Sequence, residues 1–149
     1  MEASFFLLFL LTFCSSIHSS FSTTTTDLIT TNQFIIDGET IVSSSGTFEL
    51  GFFNPNGSSN RYIGIWYKQI LPHEQTVVWV ANREKPLTNT SSVILKVTEP
   101  GILALLNDKN EIIWSTNTSR SVQNPVAVLL DSGNLVVKDA NDGSPENFL

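Results

Sequence analysis

Cysteine is nearly absent from this chain: one residue, Cys14, among 149. It falls in an apolar N-terminal stretch, so the rest of the protein has no thiol for a disulfide, a cysteine–zinc site or a cysteine nucleophile. Basic residues are also sparse and scattered, eight Lys and Arg against fourteen Asp and Glu, for a net charge of −6. No basic stripe exists to neutralise phosphates, which argues against nucleic acid as a partner. Helical periodicity is missing too. Beyond the N-terminal stretch, apolar residues never hold a three-to-four spacing for three turns. His73, in the loop Leu71-Pro72-His73-Glu74-Gln75, has no nucleophile motif beside it and no second metal ligand at useful spacing. There is no Gly-rich phosphate loop either. No catalytic residue, metal or cofactor is therefore assigned, and the chain is not read as an enzyme.

Long apolar runs occur once. Phe5–Phe13 is almost unbroken and is followed by Cys14-Ser15-Ser16-Ile17-His18-Ser19-Ser20-Phe21-Ser22. An apolar core of about 7–15 residues ahead of small residues reads as a secretory signal peptide, too short for the ~20 residues of a membrane span. Its n-region departs from the usual pattern, with Glu2 and no Lys or Arg. Ser20 and Ser22 suit cleavage after Ser22, and cleavage after Ser16 also fits. Residues 1–22 are assigned as signal peptide and 23–149 as a single domain. The protein is expected to be secreted or extracellular, with no transmembrane segment in this chain.

What the chain does contain is a recurring glycine-led strand: Gly46-Thr47-Phe48-Glu49-Leu50, Gly101-Ile102-Leu103-Ala104-Leu105 and Gly133-Asn134-Leu135-Val136-Val137. A repeat of short strands means one supersecondary unit reused, each copy too small to bury its own apolar face. After the first two copies a second strand returns and carries a tryptophan, Trp66 or Trp114, which this reading places at matching positions. Trp66, Trp79 and Trp114 are expected to pack together as structural core around an axis. The third copy has its opening strand, and Leu149 falls about where its tryptophan is due, so the third repeat is read as C-terminally truncated.

Strands are predicted at Thr40–Val42, Phe48–Phe53, Tyr62–Lys68, Val77–Ala81, Val93–Val97, Ile102–Leu106, Ile112–Ser115, Ala127–Leu130 and Leu135–Lys138. All are short and rich in β-branched and aromatic residues. Turn pairs such as Asp37-Gly38, Ser45-Gly46, Pro100-Gly101 and Ser132-Gly133 separate them. The domain is predicted to be all-β. The polar cluster Asn82-Arg83-Glu84 follows a strand and precedes Pro86. It is read as a strand-end cap in which Arg83 bonds backbone carbonyls or pairs with Glu84.

Three blocks carry a family resemblance: Glu39 to Pro55, Arg61 to Lys68 and Val78 to Leu87. With Leu130-Asp131-Ser132-Gly133-Asn134-Leu135-Val136-Val137-Lys138-Asp139, they resemble the bulb-type lectin domain of plant S-locus glycoproteins and S-domain receptor-like kinases. The likeness runs from about Asp27 to Leu149. It implies a three-fold β-prism (β-prism II) of three four-stranded sheets. The family's kinase domain is not present in this sequence.

The resemblance also supplies a sugar motif. Bulb lectins bind mannose with Gln-x-Asp-x-Asn-x-Val-x-Tyr on one strand, whose alternation sets all five side chains on one face. Laid on the third repeat, the motif falls on Leu130, Ser132, Asn134, Val136 and Lys138, where only Asn134 and Val136 match. The second repeat gives Thr98, Pro100, Ile102, Ala104 and Leu106. The first gives Ser43, Ser45, Thr47, Glu49 and Gly51. Neither contains a match. A bulge at Ser132-Gly133 would turn Asp131 toward the third site. Each net hydrogen bond contributes only ~0.5–1.5 kcal/mol, so one Asn and one Val do not make a sugar site.

Asn56, Asn89 and Asn117 head N-glycosylation sequons on predicted loops. The expected function is that of a recognition module binding a glycan, peptide or partner receptor at the cell surface. A homodimer or a receptor partner is a further expectation. An active mannose-binding lectin, or a fragment of a receptor-like kinase without independent function, are the alternatives.

Overall fold

The computed structural model describes residues 26–55, 58–68, 75–88, 92–117 and 121–143. These residues form β1 (Leu28–Thr30), β2 (Phe34–Ile35), β3 (Thr40–Val42), β4 (Phe48–Phe53), β5 (Tyr62–Tyr67) and β6 (Val77–Val80). The chain continues with β7 (Ile94–Thr98), β8 (Ile102–Leu106), β9 (Ile112–Ser115), β10 (Pro125–Leu129) and β11 (Leu135–Asp139). No helix among them is long and apolar enough to cross a membrane.

The strands make three antiparallel sheets, ordered β3-β4-β5-β6, β2-β7-β8-β9 and β1-β10-β11. The first three strands of the chain thus lend one edge to each sheet in turn. β1 and β2, three and two residues long, were not predicted. A trace of them is nevertheless present in the sequence. Ile29, Ile35 and Ile41 recur at intervals of six, and each is buried at 4% exposure or less in the common core.

Alternation dictates that core. Phe48, Leu50 and Phe52 of β4 point inward with Ile63 and Ile65 of β5, Leu95 and Val97 of β7, and Leu103 and Leu105 of β8; Ala127, Leu129 and Val137 come from the third sheet. The inner faces meet as one apolar cluster, which no sheet could bury alone.

Cross-strand register fixes how the repeats correspond. Leu50 opposes Ile65, which opposes Trp79; Leu95 opposes Leu105, which opposes Trp114; Ala127 opposes Val137. The bulges fall at the same place, at Ile65/Trp66 and at Leu105/Leu106. Trp79 and Trp114 are therefore the matching pair. Their rings meet edge to face at 5.9 Å against the core.

Trp66 corresponds instead to Leu106, which corrects the sequence reading. The glycine hairpin does recur, with Gly46, Gly101 and Gly133 all in the left-handed region (φ 75°, 114° and 82°). It joins β3 to β4 in the first sheet, but β7 to β8 and β10 to β11 in the others. Counting from glycine slips by one strand, because only the first sheet has its edge strand next to it in the chain. Residues 144–149, where the third returning strand was expected, lie outside the described residues.

Candidate functional site

The outward face of the first sheet occupies the motif's place, and its corrected positions are Ser58, Asn60, Tyr62, Gly64 and Trp66. None matches the mannose pattern, as none did in the earlier register of Ser43, Ser45, Thr47, Glu49 and Gly51. Aromatic rings fill this face. A Cβ on Gly64 would stand 2.5 Å from Phe53 Cε1, and one on Gly51 3.2 Å from Trp66 Cη2, so both glycines make room for a ring. Phe53 lies 6.2 Å from Trp66 and 5.8 Å from Tyr62, centroid to centroid. Trp66 is 8% exposed, buried as expected, but on this outer layer and not at the axis. Its indole Nε1–H donates to Glu49 Oε2 at 3.0 Å, while Thr40 Oγ1 donates to Glu49 Oε1 at 2.7 Å. The polar end of the tryptophan is satisfied, as buried indoles require.

In the second sheet the outward positions Ile102, Ala104 and Leu106 are apolar, and the last two are buried. In the third, Asn134 is exposed, and its main-chain carbonyl accepts the Leu130 N–H at 2.9 Å, closing the β10–β11 hairpin. Val136 is half-buried opposite Val128.

Asp131 does not join Asn134 and Val136. Its carboxylate accepts the Ser45 backbone N–H at 2.7 Å and ties the β10–β11 hairpin to the β3–β4 hairpin. That N–H first, and the Ser45 and Ser43 hydroxyls after it, hold the Asp131 carboxyl below the usual aspartate range. Nearby, Ser44 Oγ donates to Asp27 Oδ2 at 2.7 Å, fastening the same turn to the start of β1.

Concavities flank these elements. One, of about 400 Å³, opens where the three sheets meet and is lined by Phe48, Tyr67, Trp79, Leu103, Asn134 and Val137 among others. The second, of about 340 Å³, lies between the turn Asn82-Arg83-Glu84-Lys85 and Trp114 with Ile113 on β9.

That turn is capped by Asn82 and not by Arg83. Asn82 is 1% exposed; its Oδ1 accepts the Ile63 N–H at 2.9 Å, and its Nδ2 donates to the Lys85 carbonyl at 2.8 Å. The amide thus ties β5 to the turn's own backbone. Arg83, Glu84 and Lys85 stay exposed. The ion pair among the described residues is Arg61 with Asp37, and Arg83 does not pair with Glu84. Of the sequon residues, Asn117 is exposed just after β9, whereas Asn56 and Asn89 lie outside the described residues, as does His73.

Comparison with known proteins agrees with this geometry. Residues 76–149 match the family model described as D-mannose binding lectin. A G-type lectin S-receptor-like serine/threonine-protein kinase of Arabidopsis thaliana is 50% identical over 107 residues, 70% of this chain and 13% of the relative. Another from the same plant is 40% identical over 138 residues, 91% of this chain and 16% of the relative. This chain thus spans only a small part of the curated relatives it matches. Among solved structures, a lectin from Allium sativum aligns with a TM-score of 0.58 at 14% identity, covering 79% of this chain and 98% of that one. The mannose-specific agglutinin of snowdrop (Galanthus nivalis) bulbs, complexed with methyl-α-D-mannoside, aligns with a TM-score of 0.55 at 17% identity, covering 83% and 98%. The fold is the β-prism of these lectins.

Proposed function

The chain belongs to the bulb-type lectin domains of the G-type lectin S-receptor-like family, and on that premise we propose that it is an extracellular recognition module whose ancestral mannose positions no longer bind mannose. The observation that carries this reading is the outer face of the first sheet, where Phe53, Tyr62 and Trp66 pack over Gly51 and Gly64. Recognition of a hydroxyl-rich ring needs several polar side chains converging on open space. Here the equivalent strand offers rings, and the carboxylate that faces it from β4, Glu49, is already bonded to Trp66 and Thr40. The second sheet offers Ile102, Ala104 and Leu106, and the third keeps Asn134 and Val136 of five positions. The relatives' kinase activity is not carried over: the chain spans 14% of one such kinase.

The ligand of such a module is a cell-surface glycan, a peptide or a partner receptor. Chromatography on mannose–agarose tests the loss of the mannose sites, with no retention as the expected result. Retention reversed by free mannose and abolished by Asn134→Ala would restore the reading as an active mannose lectin.

A further inference from the structure

The cavity beside Trp114 is distinct from all three motif faces and has the makings of a ligand site. One wall is apolar, formed by Trp114 and Ile113 of β9. Both residues are half-buried, so an indole surface remains open to the cavity. The opposite rim is the turn after β6, which places Arg83, Glu84 and Lys85 together. Asn82 carries the structural role of that turn, as its bonds to Ile63 and Lys85 show. No hydrogen bond or ion pair among the described residues engages the Arg83 or Lys85 side chain. In an acidic chain with only eight Lys and Arg, two uncommitted cations two residues apart on one rim stand out. The volume, about 340 Å³, lies at the small end of the range for ligand sites.

We propose that this cavity binds a carboxylated sugar, a uronate residue of an acidic glycan. The indole supplies a flat apolar surface for the C–H face of the ring. The Arg83 fork and the Lys85 ammonium supply charge-assisted bonds to the carboxylate, which a neutral hexose cannot use. Glu84 accepts from ring hydroxyls and repels a second carboxylate, so the site holds one uronate at a time. This inference rests on the reading of the domain as a recognition module and names its ligand class.

Calorimetric titration of the full chain with trigalacturonate tests it. Mannotriose and cellotriose serve as neutral sugars, and a tri-glutamate peptide as carboxylate without sugar. Trigalacturonate alone should bind, less tightly as salt is raised. Arg83→Ala and Lys85→Ala should each weaken binding about ten-fold without moving the melting temperature, since both side chains are exposed. Trigalacturonate binding that survives both substitutions would overturn the site. Equal binding of the peptide would overturn the sugar assignment. Binding of cellotriose with trigalacturonate silent would overturn this inference while leaving the broader reading standing, whereas binding of mannotriose would overturn the loss of the mannose sites. Silence of every sugar and of the peptide would overturn this inference and leave a partner protein as the ligand of the module.

Discussion

Two polar residues show how single side chains hold this fold. Asn82 is buried and satisfies the Ile63 N–H and the Lys85 carbonyl at once. Asn82→Ala removes the partner of both groups at a buried position, which should cost about 2–3 kcal/mol. Asn82→Asp keeps the acceptor, loses the donor and introduces a buried charge, so it too should be destabilising. Denaturant titration of the two variants measures this, and melts equal to the parent would show that the amide is dispensable.

Asp131 acts through charge. Its carboxyl is held below the ordinary value of about 3.9 by the Ser45 N–H and neighbouring hydroxyls. A depressed folded-state pKa stabilises the fold above the unfolded-state value, and the effect is lost as pH falls through the folded-state value. The stability difference between the parent and Asp131→Asn should therefore be full at neutral pH and shrink below about pH 4. A difference that is flat with pH would place the contribution of Asp131 elsewhere.

At the level of elements, the short N-terminal strands matter more than their length implies. β1 pairs with β10 through Leu28, Ile29 and Thr30, and it covers an edge that would otherwise expose unpaired N–H and C=O groups. Ile29 from the same strand is 1% exposed in the core. Ile29→Ala should cost about 2–4 kcal/mol through lost transfer energy and the cavity left behind, and Ile29→Val about 1 kcal/mol. Thermal melts of the two variants check the size of the effect. A negligible loss for the alanine variant would show that β1 is not an integral edge of the third sheet.

The whole molecule is organised so that no sheet stands alone. Ile29, Ile35 and Ile41 bring consecutive N-terminal strands into all three sheets, and the inner faces share one core. Losing one sheet would expose the inner faces of the other two. Unfolding should therefore be a single cooperative event, with far-ultraviolet circular dichroism and tryptophan fluorescence giving coincident transitions. Trp79 and Trp114 report the axis and Trp66 the outer layer of the first sheet. A fluorescence transition separate from the dichroism would show that one sheet melts on its own.

Local chemistry was enough to determine a good deal. The β-rich runs from Thr40 to Lys138, their alternating faces and the glycine hairpins at Gly46, Gly101 and Gly133 follow from period-two patterning and left-handed turns. Both are properties of neighbouring residues, so they are legible in sequence, as is the poor match to the mannose motif. The tertiary structure decided what depends on distant partners. It paired β1 and β2 with strands some sixty to a hundred residues away, too far for any short pattern to announce. It moved Trp66 to an outer face and matched Trp79 with Trp114, because register belongs to the pairing of strands and not to the spacing of glycines. It gave the cap to Asn82 and left Arg83 exposed, since the turn directs Asn82 inward against Ile63 and Arg83 outward.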